Sequence, residues 1–179
     1  MRLLGYPASK ITILTTYAGQ RALIRDILNH RCAKIPIFGM PRTVTTVDQY
    51  QGEQNDYVIL SLVRTRTVGY LRDVRRLTVA LSRARLGLYI LGRLDVFASC
   101  YELKPAFDLL AKRPNKLMLI PGEMYPTNRL QADKVEGTPM ENLEHIGQYV
   151  FEMTPAKLKA IGDVDVAIPT DFPDDVEEM

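Results

Sequence analysis

Long apolar stretches, paired cysteines and clustered metal ligands are all scarce in this sequence of 179 residues, and each shortage removes a class of protein. No run reaches the roughly 18 apolar residues that a membrane-spanning helix needs. Residues 1–5 carry neither a long apolar region nor a cleavage site, unlike a secretory signal. Cys32 and Cys100 stand far apart without metal-ligand neighbours, and they read as free thiols of a reducing compartment. His30 and His145 have no partner pattern either, which argues against a zinc site. A glycine-rich phosphate loop of the form G-x-x-x-x-G-K-[ST] is missing too, so these residues cannot cradle a triphosphate in the usual way.

What is present suffices for a packed domain. Hydrophobic residues make up 46% of the chain, enough for one ordinary core, with a tail behind it. The net charge of +2 conceals an asymmetry: residues 1–113 hold 18 Lys and Arg against 8 Asp and Glu, whereas residues 114–179 hold 5 against 13. A basic body of this kind suits a polyanion partner. Residues 163–179 carry seven acids and no bases, and that end is expected to be disordered.

Periodicity organises the middle of the chain. Residues 57–62 (YVILSL) and 86–91 (LGLYIL) are short apolar runs with the length of buried strands, and residues 73–84 between them have helical spacing, with Val74, Leu77, Leu81 and Ala84 on one stripe. Strand, helix and strand make a βαβ unit with parallel strands, whose polar joints (residues 49–56, 64–72 and 82–85) are candidate ligand sites. Upstream, residues 1–9 read as the end of a helix, an apparent truncation, and residues 10–15 (KITILT) as a strand. An amphipathic helix over 18–29 turns Leu23, Ile24, Ile27 and Leu28 to the sheet. Residues 31–42 form a connector with a brief strand near Ile37 and Phe38, and residues 44–47 a β-branched strand. Helices over 94–101 and 104–112, with Phe107, Leu109 and Leu110 inward, precede a last strand at 117–120. Helical pieces are expected over 144–161. The body is assigned to residues 1–122 and an irregular acidic tail to residues 123–179.

Several side chains admit two readings. Thr16 suits a helix N-cap. Thr45 and Thr46 suit hydroxyl contacts to a phosphate, or ordinary strand positions. Gly52 suits a loop conformation that passes close to a ligand. Arg64, Arg75 and Arg76 suit a polyanion edge, or pairing with Asp56, Asp73 or Glu53. Asp56 suits a brace for the neighbouring turn, and Arg85 a second phosphate contact or a surface charge.

Three segments carry a family resemblance. Residues 44–65 (VTTVDQYQGEQNDYVILSLVRT) resemble motif V of the superfamily 1 helicases of the Upf1-like group, roughly V-D-x-[FY]-Q-G-x-E-x-D before an apolar strand. Residues 75–92 (RRLTVALSRARLGLYILG) resemble motif VI, and residues 11–28 (ITILTTYAGQRALIRDIL) motif IV, all in the family's order and spacing. The likeness is dense over about residues 1–130 and is strongest to members that bind introns in the spliceosome.

The resemblance implies an α/β fold: a RecA-like parallel sheet of the P-loop NTPase type, flanked by helices, corresponding to the second helicase domain only. It implies that Arg83 reaches the γ-phosphate of ATP as a catalytic arginine, that Gln51, Gly52 and Gln54 help to bind the nucleotide, and that Thr15, Gln20, Thr45, Thr46 and Arg64 border an RNA path. Tyr17 borders that path or packs. ATP and Mg2+ would serve only when the missing N-terminal helicase domain is paired with this one; in isolation no turnover is expected. Intron or pre-mRNA and spliceosomal proteins are the implied partners, in the nucleus. Gln54 stands where the family has a ribose-holding glutamate, so that contact rests on an uncharged amide. The Y-R-M-H-P-like segment that stacks adenine is absent. The alternative expectation is a non-catalytic module that binds RNA or spliceosomal proteins through its basic face.

Overall fold

The structure is a computed structural model, and it describes residues 1–161 apart from 36, 115, 121–124, 128–129 and 131–135. The expectation for residues beyond 162 therefore lies outside the described residues.

A parallel sheet forms the middle of the domain. Strands β1 (Ile11–Thr15), β2 (Thr43–Thr46), β3 (Asn55–Ser61) and β4 (Ala84–Leu91) lie in the order β2-β1-β3-β4, every neighbouring pair parallel. Helix α1 (Ala18–Arg31) crosses from β1 to β2, and α2 (Val74–Leu81) crosses from β3 to β4. The expected βαβ unit is present, and the fold is the RecA-like α/β class that the motifs implied. Because β2 and β3 lie on opposite sides of β1, the strand order reverses between the carboxyl ends of β1 and β3. Open α/β sheets bind ligands in such a crevice.

The core explains the elements. Leu14 of β1 and Val58 and Leu60 of β3 pack with Leu62, Leu71, Leu77, Ala80 and Phe97, all essentially without exposure. Each of these side chains other than Ala80 contributes about 1.5–3 kcal/mol on burial. Short helices α3 (Leu94–Ala98) and α4 (Lys104–Ala111) close this face, with the rings of Phe97 and Phe107 stacked 5.5 Å apart. Tyr50, from the polar joint before β3, also belongs to the core, its phenol 3.3 Å from Thr12 Oγ1.

Several expectations are corrected. The middle helix ends at Leu81 and not at Ala84, because β4 must begin at Ala84 to pair with Asn55. Val74 is consequently exposed in the first turn, and Ala80 takes the buried place. Leu23 and Ile27 of α1 are 53% and 46% exposed, because the sheet stops at β2 and leaves that apolar stripe overhanging. Leu109 likewise faces outward. Residues 1–9 form two 3-10 turns, Arg2–Leu4 and Ala8–Lys10, and Ile37 is buried without forming a strand.

The last expected strand does not join the main sheet. Strand β5 (Met118–Leu119) pairs antiparallel with β6 (Thr138–Pro139), and a single helix, α5 (Leu143–Ile161), follows and packs against the Arg2–Leu4 turn. Tyr125 donates its amide to Leu4 O at 2.7 Å, and its ring lies 4.9 Å from that of Tyr6. Residues on both sides of position 122 thus touch the amino terminus.

Candidate nucleotide and nucleic-acid sites

Strand direction divides the expected site residues into two groups. β1, β2 and β3 end at Thr15, Thr46 and Ser61 in mutual register, so Thr15, Thr45, Thr46, Gln20 and Arg64 gather at the carboxyl edge of the sheet. β3 and β4 begin at Asn55 and Ala84, also in register, so Gln54 and Arg83 meet at the opposite edge. A strand of this length separates the two edges by about 20 Å.

At the carboxyl edge, Thr15 is fully buried and Thr16 nearly so, and neither hydroxyl has a hydrogen-bond partner among the described residues. Thr16 is not the N-cap: that position falls to Tyr17, whose side chain caps nothing. Unpaired buried hydroxyls cost about 1–3 kcal/mol each, a cost that a ligand acceptor would remove. The first amides of α1 lie beside them, and the head of a helix attracts anions. Thr45 instead donates to Gln49 Oε1 at 3.0 Å, and Arg21 shares that acceptor.

Tyr17 gathers the basic loop. Its phenol oxygen accepts from Arg64 Nε at 2.9 Å and from the Tyr70 amide at 3.3 Å, while the Arg64 guanidinium lies 4.7 Å from its ring centre. Tyr70 in turn carries the Arg76 guanidinium 3.8 Å above its ring and donates its hydroxyl to Asp48. Partial burial, and then that bond, push the Tyr70 phenol pKa up. Among the described residues Arg64 pairs with no carboxylate, contrary to the pairing alternative, whereas Arg75 does reach Asp73 at 3.4 Å.

At the amino edge, the turn Ser82–Arg83 joins α2 to β4, and Arg83 is clamped within it. Its Nε donates to Val79 O at 2.7 Å, Nη1 to Glu53 O at 3.1 Å, and Nη2 to Ser82 Oγ at 2.9 Å. The Asn55 amide donates to Arg83 O at 3.1 Å, so the loop before β3 and the turn before β4 are one unit. Neither Asp48 nor Asp56 pairs with Arg83. Asp56 braces the edge by pairing with Lys10 at 3.1 Å and, more loosely, Arg85 at 4.0 Å. Gly52 has a left-handed φ of 84° and open space about it, and Gln51, Gly52 and Gln54 are exposed.

Gln51 lines a groove of about 200 Å³ with Val47, Asp48, Arg75, Arg76 and Val79. That volume lies below the roughly 300–1,000 Å³ of a small-molecule pocket, so it suits a phosphate and not a whole nucleotide. Among the described residues no three acidic, histidine or cysteine side chains stand together to hold a metal ion. A larger groove of about 640 Å³ follows the free edge of β4 past Leu86, Ile90, Phe107 and Leu110, and brings none of the expected site residues together.

Sequence reasoning missed Tyr70, Glu53 and Asn55 as organisers. Asn55 is buried, and its Nδ2 donates to Thr12 Oγ1 at 2.9 Å and Ser9 O at 3.2 Å. Gly69 beside Tyr70 was the available signal: a Cβ there would stand 2.6 Å from the Tyr17 hydroxyl, at a φ of +59°.

Sheet order, motif placement and the paired loops define the second RecA-like half of a superfamily 1 helicase of the Upf1-like group. The chain belongs to the AAA_12 family, described as an AAA domain, which it matches over residues 2–95. It is 56% identical over 155 residues to the RNA helicase aquarius of Mus musculus, covering 86% of this chain and 10% of that protein. To the pre-mRNA-splicing factor cwf11 of Schizosaccharomyces pombe it is 35% identical over 159 residues, covering 88% and 12%. Regulator of nonsense transcripts 1 of Dictyostelium discoideum is 38% identical over 126 residues, covering 68% and 9%. The chain thus spans about a tenth of the length of these relatives.

Proposed function

We propose that this chain is the second motor domain of an ATP-dependent RNA helicase of pre-mRNA splicing, acting in the nucleus with spliceosomal proteins. The names of two relatives, an RNA helicase and a pre-mRNA-splicing factor, support the setting. In this reading the carboxyl edge, with Arg64, Thr16 and the head of α1, grips the RNA backbone. The amino edge, with Arg83 and Gln54, and the joint that leads to it from β2, with Gln51 and Gly52, face a nucleotide held by a partner domain that bears the phosphate loop. The observation that carries the reading is the register of β3 and β4, whose paired starts at Asn55 and Ala84 bring Gln54 of the motif V loop and Arg83 of motif VI to one edge of the sheet.

Each residue has a limited task. Arg83 presents a planar cation where charge develops on transferring phosphoryl oxygens, and two donors in one plane match that charge better than a point cation does. Gln54 offers an amide to a ribose hydroxyl. Gly52, lacking a Cβ and held at positive φ, lets the backbone approach. ATP supplies the phosphoryl group when bound, and Mg2+ belongs to the partner domain's acids.

One observation favours the alternative of a non-catalytic binding module: Nε, Nη1 and Nη2 of Arg83 each already hold an acceptor of this chain. ATP turnover, measured on the chain alone and on the chain joined to a first RecA-like domain, tests the proposal. Background rates alone and RNA-stimulated turnover when joined are expected. Turnover by the purified chain alone contradicts the division of labour, and none when joined favours the binding module.

A further inference from the structure

The crevice between the carboxyl ends of β1 and β3 is closed on one side by a ladder of alternating guanidinium and phenol groups. Arg64 lies on the Tyr17 ring, the Tyr17 and Tyr70 rings stand 6.4 Å apart, and Arg76 lies on Tyr70. Tyr70 is tied to Asp48 at the end of β2, and Tyr17 to the head of α1. The ladder therefore joins the ends of three strands through two phenols.

Within it Tyr17 is the shared member. Its hydroxyl takes the Nε hydrogen of Arg64 and the amide of Tyr70, and the loop passes so close that only glycine fits at position 69. With Nε occupied, the Nη edge of Arg64 takes up no hydrogen bond among the described residues. That edge, with one hydrogen on each Nη pointing the same way, can grip a phosphate with two parallel bonds. An exposed arginine without such a hold spreads over many rotamers, and each must be lost when it binds.

We infer that Tyr17 is a positioning residue for RNA binding: it holds Arg64 in one orientation over the strand-end crevice, with its phosphate-gripping edge outward. The ligand class is the phosphodiester backbone of single-stranded RNA, and the inference rests on the RNA-path reading of Arg64. Tyr17 itself touches no RNA in this scheme. Its hydroxyl acts through Arg64, which separates it from a tyrosine that stacks on bases.

The test is a double-mutant cycle on the full chain, read by anisotropy of a fluorescent single-stranded oligouridylate across a salt series. Arg64→Ala should weaken binding and reduce the log–log salt slope by about 0.7, one phosphate contact. Tyr17→Phe keeps the ring and removes the hydroxyl. It should weaken binding about threefold when Arg64 is present and not at all in the Arg64→Ala background, the non-additivity of residues in contact. The thermal midpoint, followed on the same samples, should barely move. Equal losses from Tyr17→Phe in both backgrounds, or no loss in either, would overturn the positioning role while leaving Arg64 as an RNA contact. Unchanged binding by Arg64→Ala would remove the RNA-path reading of Arg64 itself, and the inference with it.

Discussion

Arg83 Nη1 and the carbonyl oxygen of Glu53 are 3.1 Å apart, although 30 residues separate them in sequence. This bond joins the turn after α2 to the loop before β3, and the Asn55 amide on Arg83 O returns the link at 3.1 Å. A motif VI arginine and a motif V loop are thereby held as one surface, before any ligand arrives. Pre-organisation of this kind lets a cation stabilise charge without a cost of reorientation during reaction.

The buried hydroxyls of Thr15 and Thr16 lack partners, so replacing either by valine should stabilise the free domain by about 1 kcal/mol. If the carboxyl edge binds RNA as proposed, Thr16→Val should also weaken RNA binding. Thermal midpoint and affinity on one preparation check both. A fall in stability for both variants would mean that these hydroxyls are satisfied in solution.

Asn55 should behave oppositely. Its side chain bonds Thr12 Oγ1 and Ser9 O while accepting from the Asp56 amide, all at the buried start of β3. Asn55→Ala strands those groups and should cost about 2–3 kcal/mol by denaturant unfolding. A change below half a kcal/mol would show that water replaces the network.

How much of this was legible beforehand depended on the kind of interaction. Residues 57–62 announced β3 because a strand in the middle of the sheet demands a continuous apolar run, whereas residues 86–91 announced β4 by the same pattern although it is an edge strand with Leu86 and Leu91 exposed. The overhang of Leu23 and Ile27 was not legible: periodicity marks an apolar stripe but does not say how many strands lie under it. The Arg64–Tyr17 contact spans 47 residues, and charge counting alone would have sought a carboxylate for that arginine. Two of the three acceptors of Arg83 are backbone carbonyls, which carry no residue identity and so leave no trace in a motif. Motif spacing thus named candidate residues, while the contacts those residues make emerged only from the fold.

Ending the chain after residue 122 should leave a cooperatively unfolding sheet, because the main core draws on residues 14–107. It should nonetheless be less stable by about 1–3 kcal/mol, since Tyr125 loses its packing on Tyr6 and Tyr57. Loss of the cooperative transition in circular dichroism would place residues 123–161 within the folding unit.

Glu102 offers a pH probe. Its bonds to Arg72, one of them 2.9 Å long, hold its carboxyl pKa down to about 2 from an ordinary 4.5. A depressed carboxylate contributes stability above the unfolded value and loses it as pH falls from about 4.5 toward 2. The pair is exposed to solvent, so the contribution is small and screened by salt. Glu102→Gln should flatten that part of the stability–pH curve and leave neutral pH almost unchanged; an unaltered acid limb would show that the pair does not persist.

The most direct test of the account is Arg83→Ala in the chain joined to a first RecA-like domain. The replacement leaves Leu77 and Ala80 packed but removes three hydrogen bonds, so the fold should survive with stability lowered by about 1–3 kcal/mol. RNA-stimulated ATP turnover should fall by about 10³–10⁵-fold with ATP affinity nearly unchanged, the pattern of an interaction made mainly in the transition state. Arg83→Lys should recover only part of the rate, having a point charge without the planar fork. If turnover per folded molecule stays normal while stability falls, Arg83 serves only to clamp Glu53 and Ser82, and the catalytic assignment is wrong.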